Sequence, residues 1–172
     1  CLSNLKQQYV GVSVYANNYQ GYMPPRVEKS GFKIFGNWLG SSANPYGLGH
    51  LIAGDYLDQP QIFYCPSNDL GPFEEQYFFK IAGAETWMAY RYRNNNAAGH
   101  PPNWANIHVP ERMDDDKWAI IADDPYRDWQ KSAHVSGYNV AYMDGHAKWV
   151  DDSDEEINGD LFNAWEKFDE EY

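Results

Sequence analysis

Apolar residues recur at three- and four-residue steps through Leu2, Leu5, Tyr9, Val12, Ala16 and Tyr19, a spacing that predicts an amphipathic helix over most of residues 2–19. Gly21 and then Pro24-Pro25 stop it. Near the other end, Leu161, Phe162, Trp165 and Phe168 fall at i, i+1, i+4 and i+7, which predicts a short helix docked by those side chains with an acidic outer face. Between the two helices the period changes. The continuous apolar run Trp118 to Ala122 (W-A-I-I-A) predicts a central strand, stopped by Asp123, Asp124 and Pro125. From His134 to Val150 the chain reads H-V-S-G-Y-N-V-A-Y-M-D-G-H-A-K-W-V, a β-hairpin with Asp144-Gly145 as its turn. A two-residue type I′ loop there would set Met143 opposite His146, Tyr142 opposite Ala147 and Val140 opposite Trp149. Tyr138, Val140, Tyr142, Ala147 and Trp149 would then share one apolar face, and Asn139, Met143, His146 and Lys148 the other.

Residues 22–115 carry weaker signals. Phe32 to Leu39 suits a short strand or helix, and Leu48 to Leu57 a short helix or turn. Glu85 to Tyr92 suits a strand, and Asn94 to His108, with Pro101-Pro102, a loop. The expected architecture is α+β: an N-terminal helix across a small antiparallel sheet of three or four strands. A single domain over 1–172 divides into the helix (1–20), a loop-rich middle (21–115), the sheet and hairpin (116–150) and an acidic C-terminal helix (151–172).

Composition sharpens this picture. The 172 residues include 14 Tyr, 8 Phe and 7 Trp while Leu, Ile and Val are sparse, which favours a core that draws on rings. The net charge of −12 is concentrated at the end, where residues 151–172 hold ten acids against Lys167 alone; the rest carries 15 acids and 12 bases. No basic footprint for DNA, RNA or anionic lipid is present. No run approaches the roughly 18–20 apolar residues of a membrane span, and the chain does not start with Met, which points to an N-terminal segment having been removed.

Three motifs occur in one order: C-L-S-N-L-K-Q-Q-Y-V-G-V-S-V-Y-A-N-N-Y-Q-G-Y-M-P-P (Cys1 to Pro25), F-Y-C-P-S (Phe63 to Ser67), and His134 followed after nine residues by Asp144-Gly145. Together they resemble prepilin-type, pseudopilin-like proteins with an H-X9-DG processing-associated domain. The resemblance implies the soluble, pilin-like part of a cell-envelope protein of a type II secretion or pilus-type system. It implies a periplasmic or extracellular domain, anchored in the inner membrane by an N-terminal helix that this chain lacks. Its partners would be other pilin-like subunits or secretion-system components, with no contact to nucleic acid, and the isolated domain would be monomeric. In an exported protein, Cys1 and Cys65 would pair as a disulfide or stay as two free thiols; a lipid on Cys1 suits a chain that enters a helix at once less well.

Candidate chemistry is sparse. Asp123, Asp124, His134, Asp144 and His146 form the one constellation that could hold a divalent metal, zinc or manganese through imidazole and carboxylate, or calcium through oxygen alone. A structural role for His134, Asp144 and Gly145 in shaping the turn outweighs it. No nucleophile elbow, phosphate loop, H-E-x-x-H or C-x-x-C motif is present, so the expected class is non-enzymatic, ahead of a metal-dependent hydrolase or a two-carboxylate glycosidase. The rival class is a glycan- or protein-binding module stacking sugars on Trp104, Tyr126 and Trp129, with Tyr46 and Tyr56 nearby; ring burial in the core is the simpler use of such residues.

Overall fold

The computed structural model describes residues 1–25, 38–67, 86–93, 112–113, 117–124, 134, 136–157 and 161–172. It is an α+β structure. Helix α1 (Leu2–Asn18) is followed by β1 (Trp38–Ser41), β2 (Asn44–Pro45), helix α2 (Gly49–Ala53) and a 3₁₀ turn (Pro60–Phe63). Then come β3 (Thr86–Trp87), β4 (Tyr90–Tyr92), β5 (Ala119–Asp123), β6 (Gly137–Tyr142), β7 (Ala147–Asp151) and helix α3 (Leu161–Glu170). Two antiparallel sheets result, ordered β2-β1-β3 and β4-β5-β6-β7. The strand expected over Glu85 to Tyr92 thus divides between them. The expected loop Asn94 to His108 lies outside the described residues.

The four-stranded sheet is covered on both faces, which is why β5 and β6 are buried along their whole length. On one face Leu5, Val12 and Tyr15 of α1 pack with Tyr90, Tyr92, Ile120, Ile121, Ala141 and Met143. On the other, Ala164, Trp165 and Phe168 of α3 pack with Ala122, Tyr138, Val140, Tyr142 and Val150. A register shift between Ala119 and Ile121 lets two consecutive isoleucines, Ile120 and Ile121, serve the α1 side while Ala119 and Ala122 serve the other. Leu161 and Phe162, expected to help dock α3, have side chains outside the described set.

Helix α1 buries Leu5, Gln8, Gly11, Val12, Tyr15 and Ala16. The stripe is rotated from the expected one: Tyr19 is exposed and the fully buried Gln8 takes a place in the interface. Gln8 Nε2 donates to the Ile62 carbonyl at 2.8 Å and Asn4 Nδ2 to that of Tyr64 at 2.9 Å, so polar side chains tie the helix to the mid-chain turn. The helix ends with Gln20 at φ 56° and the Gly21 N–H returning to the Ala16 carbonyl at 2.8 Å, a Schellman-type stop.

The hairpin is where sequence and structure part. β6 and β7 pair Tyr138 with Val150, Asn139 with Trp149, Val140 with Lys148 and Ala141 with Ala147, one residue out of the expected register. The loop has three residues, Met143-Asp144-Gly145. Tyr142 accepts from the Gly145 N–H and donates to the His146 carbonyl, both at 3.0 Å, and of the three only Gly145 takes a positive φ, 92°. This is the type I turn with a glycine bulge rather than type I′. The Asp144 carboxylate secures this turn by accepting the His146 N–H at 2.9 Å.

The slip turns β7 over. Val150 joins the α3-side core, whereas Trp149, expected there, is 43% exposed on the opposite face. Tyr9 fastens α1 to the hairpin tip by donating its hydroxyl to the Met143 carbonyl at 2.9 Å. Its ring also closes over Gly145, where an added Cβ would lie 2.7 Å from a ring carbon. Gly145→Ala is therefore expected to lower stability by about 2 kcal/mol, joining a left-handed backbone penalty to a clash with Tyr9. Urea denaturation of the two proteins checks this.

Candidate functional site

Four chain segments meet at the α1-side end of the large sheet. Cys1 opens α1, Cys65 follows the 3₁₀ turn, Asp123 ends β5, and His134 precedes β6. Cys1 and Cys65 form a disulfide across 64 positions, with Cα atoms 5.3 Å apart. One donor atom from each of Cys1, Cys65, Asp123 and His134 lies within 4.8 Å of the others.

Asp123 is the organising group. Its Oδ2 accepts the Asn139 backbone N–H at 2.6 Å and the Asn139 side-chain amide at 2.8 Å, while Oδ1 is buried without a hydrogen-bond partner. Burial, the largest influence, raises its pKa; the Asn139 donors and His134 act against that rise without cancelling it. His134 Nε2 stands 3.4 Å from Asp123 Oδ2, 3.1 Å from Asn139 Nδ2 and 3.8 Å from Cys65 Sγ. These contacts hold the imidazole edge against both the Asp123 carboxylate and the Asn139 amide. Trp149 meets the imidazole edge-on, with centroids 5.3 Å apart and planes at 88°. That wall exists because of the hairpin register just described.

The five residues singled out as possible metal ligands are divided by the fold. Asp123 and His134 are brought together. Asp124, one residue further along, is paired with Arg91 Nε at 2.6 Å, both side chains buried. Asp144 and His146 lie at the far end of β6, about 20 Å of extended chain away for a six-residue strand. There they serve the turn. His146 Nδ1 meets Asp144 Oδ1 at 2.6 Å, its ring stacks on Tyr142 with centroids 4.3 Å apart, and Tyr172 donates its hydroxyl to Asp144 Oδ2 at 3.3 Å.

Slight burial of Asp144 acts to raise its pKa, but the His146 N–H and imidazole and the Tyr172 hydroxyl outweigh it and hold the carboxyl below its ordinary value. A depressed folded pKa means that the stability Asp144 contributes is complete above its unfolded value near 4 and is lost as pH falls through the folded one. An NMR titration of the Asp144 carboxyl should show a midpoint below that of a model aspartate, moving up in His146→Ala.

Of the possible sugar-stacking rings, Trp104, Tyr126 and Trp129 lie outside the described residues. Tyr46 and Tyr56 are both half-buried; Tyr46 accepts from Asn44 Nδ2 at 2.8 Å, and Tyr56 packs edge-on against Tyr15 at 5.3 Å. Neither forms an exposed platform. Among the described residues no helix is long and apolar enough to cross a membrane.

A second polar centre joins α3 to the sheet and has no counterpart in the sequence reading. Arg93 Nη1, buried beside β4, donates to both oxygens of Asp169 at 2.7 and 2.8 Å, and Asp169 also accepts the Ala119 N–H at 3.1 Å. Burial lowers the Arg93 pKa, with Asp169 opposing the change. The guanidinium lies 5.3 Å from the Trp118 ring and 5.4 Å from that of Trp165. The terminal acids are thus not all a solvated face: Asp169 is half-buried in this pair, and Asp152 is fully buried, its Oδ1 accepting the Ile157 N–H at 3.1 Å. Lys167 Nζ gathers Asp152, Asp154 and Glu156 at 3.5, 3.2 and 2.9 Å.

Comparison of the chain with protein-family models, with curated proteins and with solved structures gave no match.

Proposed function

We propose that this protein is a non-enzymatic, pilin-like structural subunit of a cell-envelope secretion or pilus-type system, with its domain on the periplasmic or outer side. The observation that carries the reading is the way α1 is held. The helix is pinned at its start by the disulfide, along one side by Asn4 and Gln8, and at the hairpin by Tyr9. A helix fixed so firmly to a sheet makes a rigid handle for a globular head, as a subunit that assembles through an upstream continuation of that helix requires. The disulfide suits an oxidising compartment. His134, Asp144 and Gly145 act as parts of the hairpin and its approach, in keeping with the structural role proposed for the motif. The acidic terminal segment argues against nucleic acid as a partner.

In this reading the outer face of α1 meets neighbouring subunits. Val10 and Val14, one turn apart, are 56% and 44% exposed. A photo-crosslinking residue at either position, in the full-length protein in its own cells, is expected to capture other pilin-like subunits. Crosslinks confined to unrelated soluble proteins, or none at both positions, would contradict the proposal.

A further inference from the structure

We propose that Cys1, Cys65, Asp123 and His134 are the ligands of a zinc site that is closed while the two cysteines are joined and opens when they are reduced. This goes beyond the structural role proposed above and stands independently of it. Four donors already lie within 4.8 Å of one another. Tetrahedral zinc, with bonds of about 2.3 Å to sulfur and 2.0 Å to nitrogen or oxygen, sets its donors about 3.3–3.8 Å apart. Closing onto the metal therefore needs movements on the order of 1 Å, within the reach of side-chain torsions. The donor set selects the metal: two thiolates, an imidazole and one carboxylate suit zinc and not calcium.

Three details point into this cluster. His134 Nε2 faces the cluster, 3.4 Å from Asp123 Oδ2 and 3.8 Å from Cys65 Sγ. Asp123 brings its Oδ2 to that nitrogen from a buried side chain. The Asn139 donors orient that carboxylate as outer-shell partners orient ligands in zinc proteins. The α-amino group of Cys1 also acts on Asp123, and Trp149 walls the His134 side of the cluster.

The opening step is a thiol–disulfide exchange. A thiolate of a dithiol reductant attacks Cys1 Sγ, the half-buried sulfur, and Cys65 Sγ leaves with the electron pair of the broken S–S bond. The second thiol of the reductant then displaces Cys1. The reductant ends as its disulfide, and its two hydrogens end on Cys1 and Cys65. Zinc(II) takes the place of both thiol protons, which pass to solvent, and its oxidation state does not change.

The test uses the full chain, stripped of metal by a chelator, in its disulfide form and after anaerobic reduction with a trialkylphosphine, which becomes the phosphine oxide with oxygen from water. Each form is titrated with cobalt(II) and then zinc(II). The reduced chain is expected to bind one cobalt with thiolate charge-transfer bands and the intense visible bands of tetrahedral geometry, and zinc is expected to displace it. The disulfide form should show neither. His134→Ala and Asp123→Asn should each weaken binding at least tenfold.

Absence of the bands in the reduced, folded chain would overturn the site, as would affinity unchanged in both variants. Equal binding by the disulfide form would overturn the redox gate. Should the reduced chain unfold, recovery of its helical circular dichroism on adding zinc supports the site, and failure to recover refutes it.

Discussion

Replacing Cys1 and Cys65 together by serine should lower the free energy of unfolding by about 4 kcal/mol and the melting temperature by roughly 10 °C. The bridge closes a loop across 64 positions. Releasing a loop of that length returns about 4 kcal/mol of chain entropy to the unfolded state on the loop-closure account. For a domain of this size each kcal/mol moves the midpoint by roughly 2–4 °C. Cys65 is fully buried beside the first turn of α1, so the loss should fall first on the helix, as early hydrogen exchange of its N-terminal amides before the β5–β6 core opens. Calorimetry and exchange on the double variant test this; an unchanged midpoint would mean that the bridge adds nothing to the packing of α1.

The next largest effect is expected at the Arg93–Asp169 pair. Asp169→Ala leaves a buried guanidinium facing an empty place and leaves the Ala119 N–H without its acceptor, at a cost of about 3 kcal/mol. The contribution is one-sided. Removing the charge as well, in Arg93→Met with Asp169→Ala, should cost clearly less than the sum of the two single changes, because the penalty is the orphaned charge and not the lost attraction. A double-mutant cycle by urea denaturation reads this directly. Additive costs would show that solvent reaches Arg93 in the single variant.

Of these two contacts, the disulfide was one of the readings open to the two cysteines, whereas the Arg93–Asp169 pair left no sign in the sequence. The helices, the central strand and the hairpin's location were legible because each is written in a local period: 3.6 in Leu5, Val12 and Ala16, and a continuous apolar run in Ala119 to Ala122. The hairpin register was not. Asp-Gly suits a two-residue or a three-residue loop, and the choice rests on the Asp144 carboxylate and on the Tyr9 ring over Gly145, more than 130 positions away in sequence. That single residue of slip moved Trp149 out of the core and onto His134.

The site divides in the same way. Alternation along a strand places the neighbours Asp123 and Asp124 on opposite faces, and the length of β6 separates His134 from Asp144 and His146. Both facts follow only once β5 is seen to run to Asp123 and β6 over Gly137–Tyr142, because the apolar run alone ends at Ala122, before either aspartate. That Cys1 and Cys65 would join Asp123 and His134 was not available from the sequence, since it takes four segments meeting through the packing of α1 on the sheet. Arg93 and Asp169, 76 positions apart, carry no local sign of each other, and the run of acids around Asp152 and Asp169 resembles a solvated face until the contacts are seen.

Mass spectrometry of the protein's N-terminus decides whether a pilin-like subunit is held in the envelope by an upstream helix, as proposed. The full-length precursor would be made in cells with and without a prepilin peptidase, and the product recovered from separated envelope and cytoplasmic fractions. The expected product is a form shortened upstream of Cys1, dependent on the peptidase and confined to the envelope. An uncut chain recovered from the cytoplasm, whether or not the peptidase is present, would contradict the proposal.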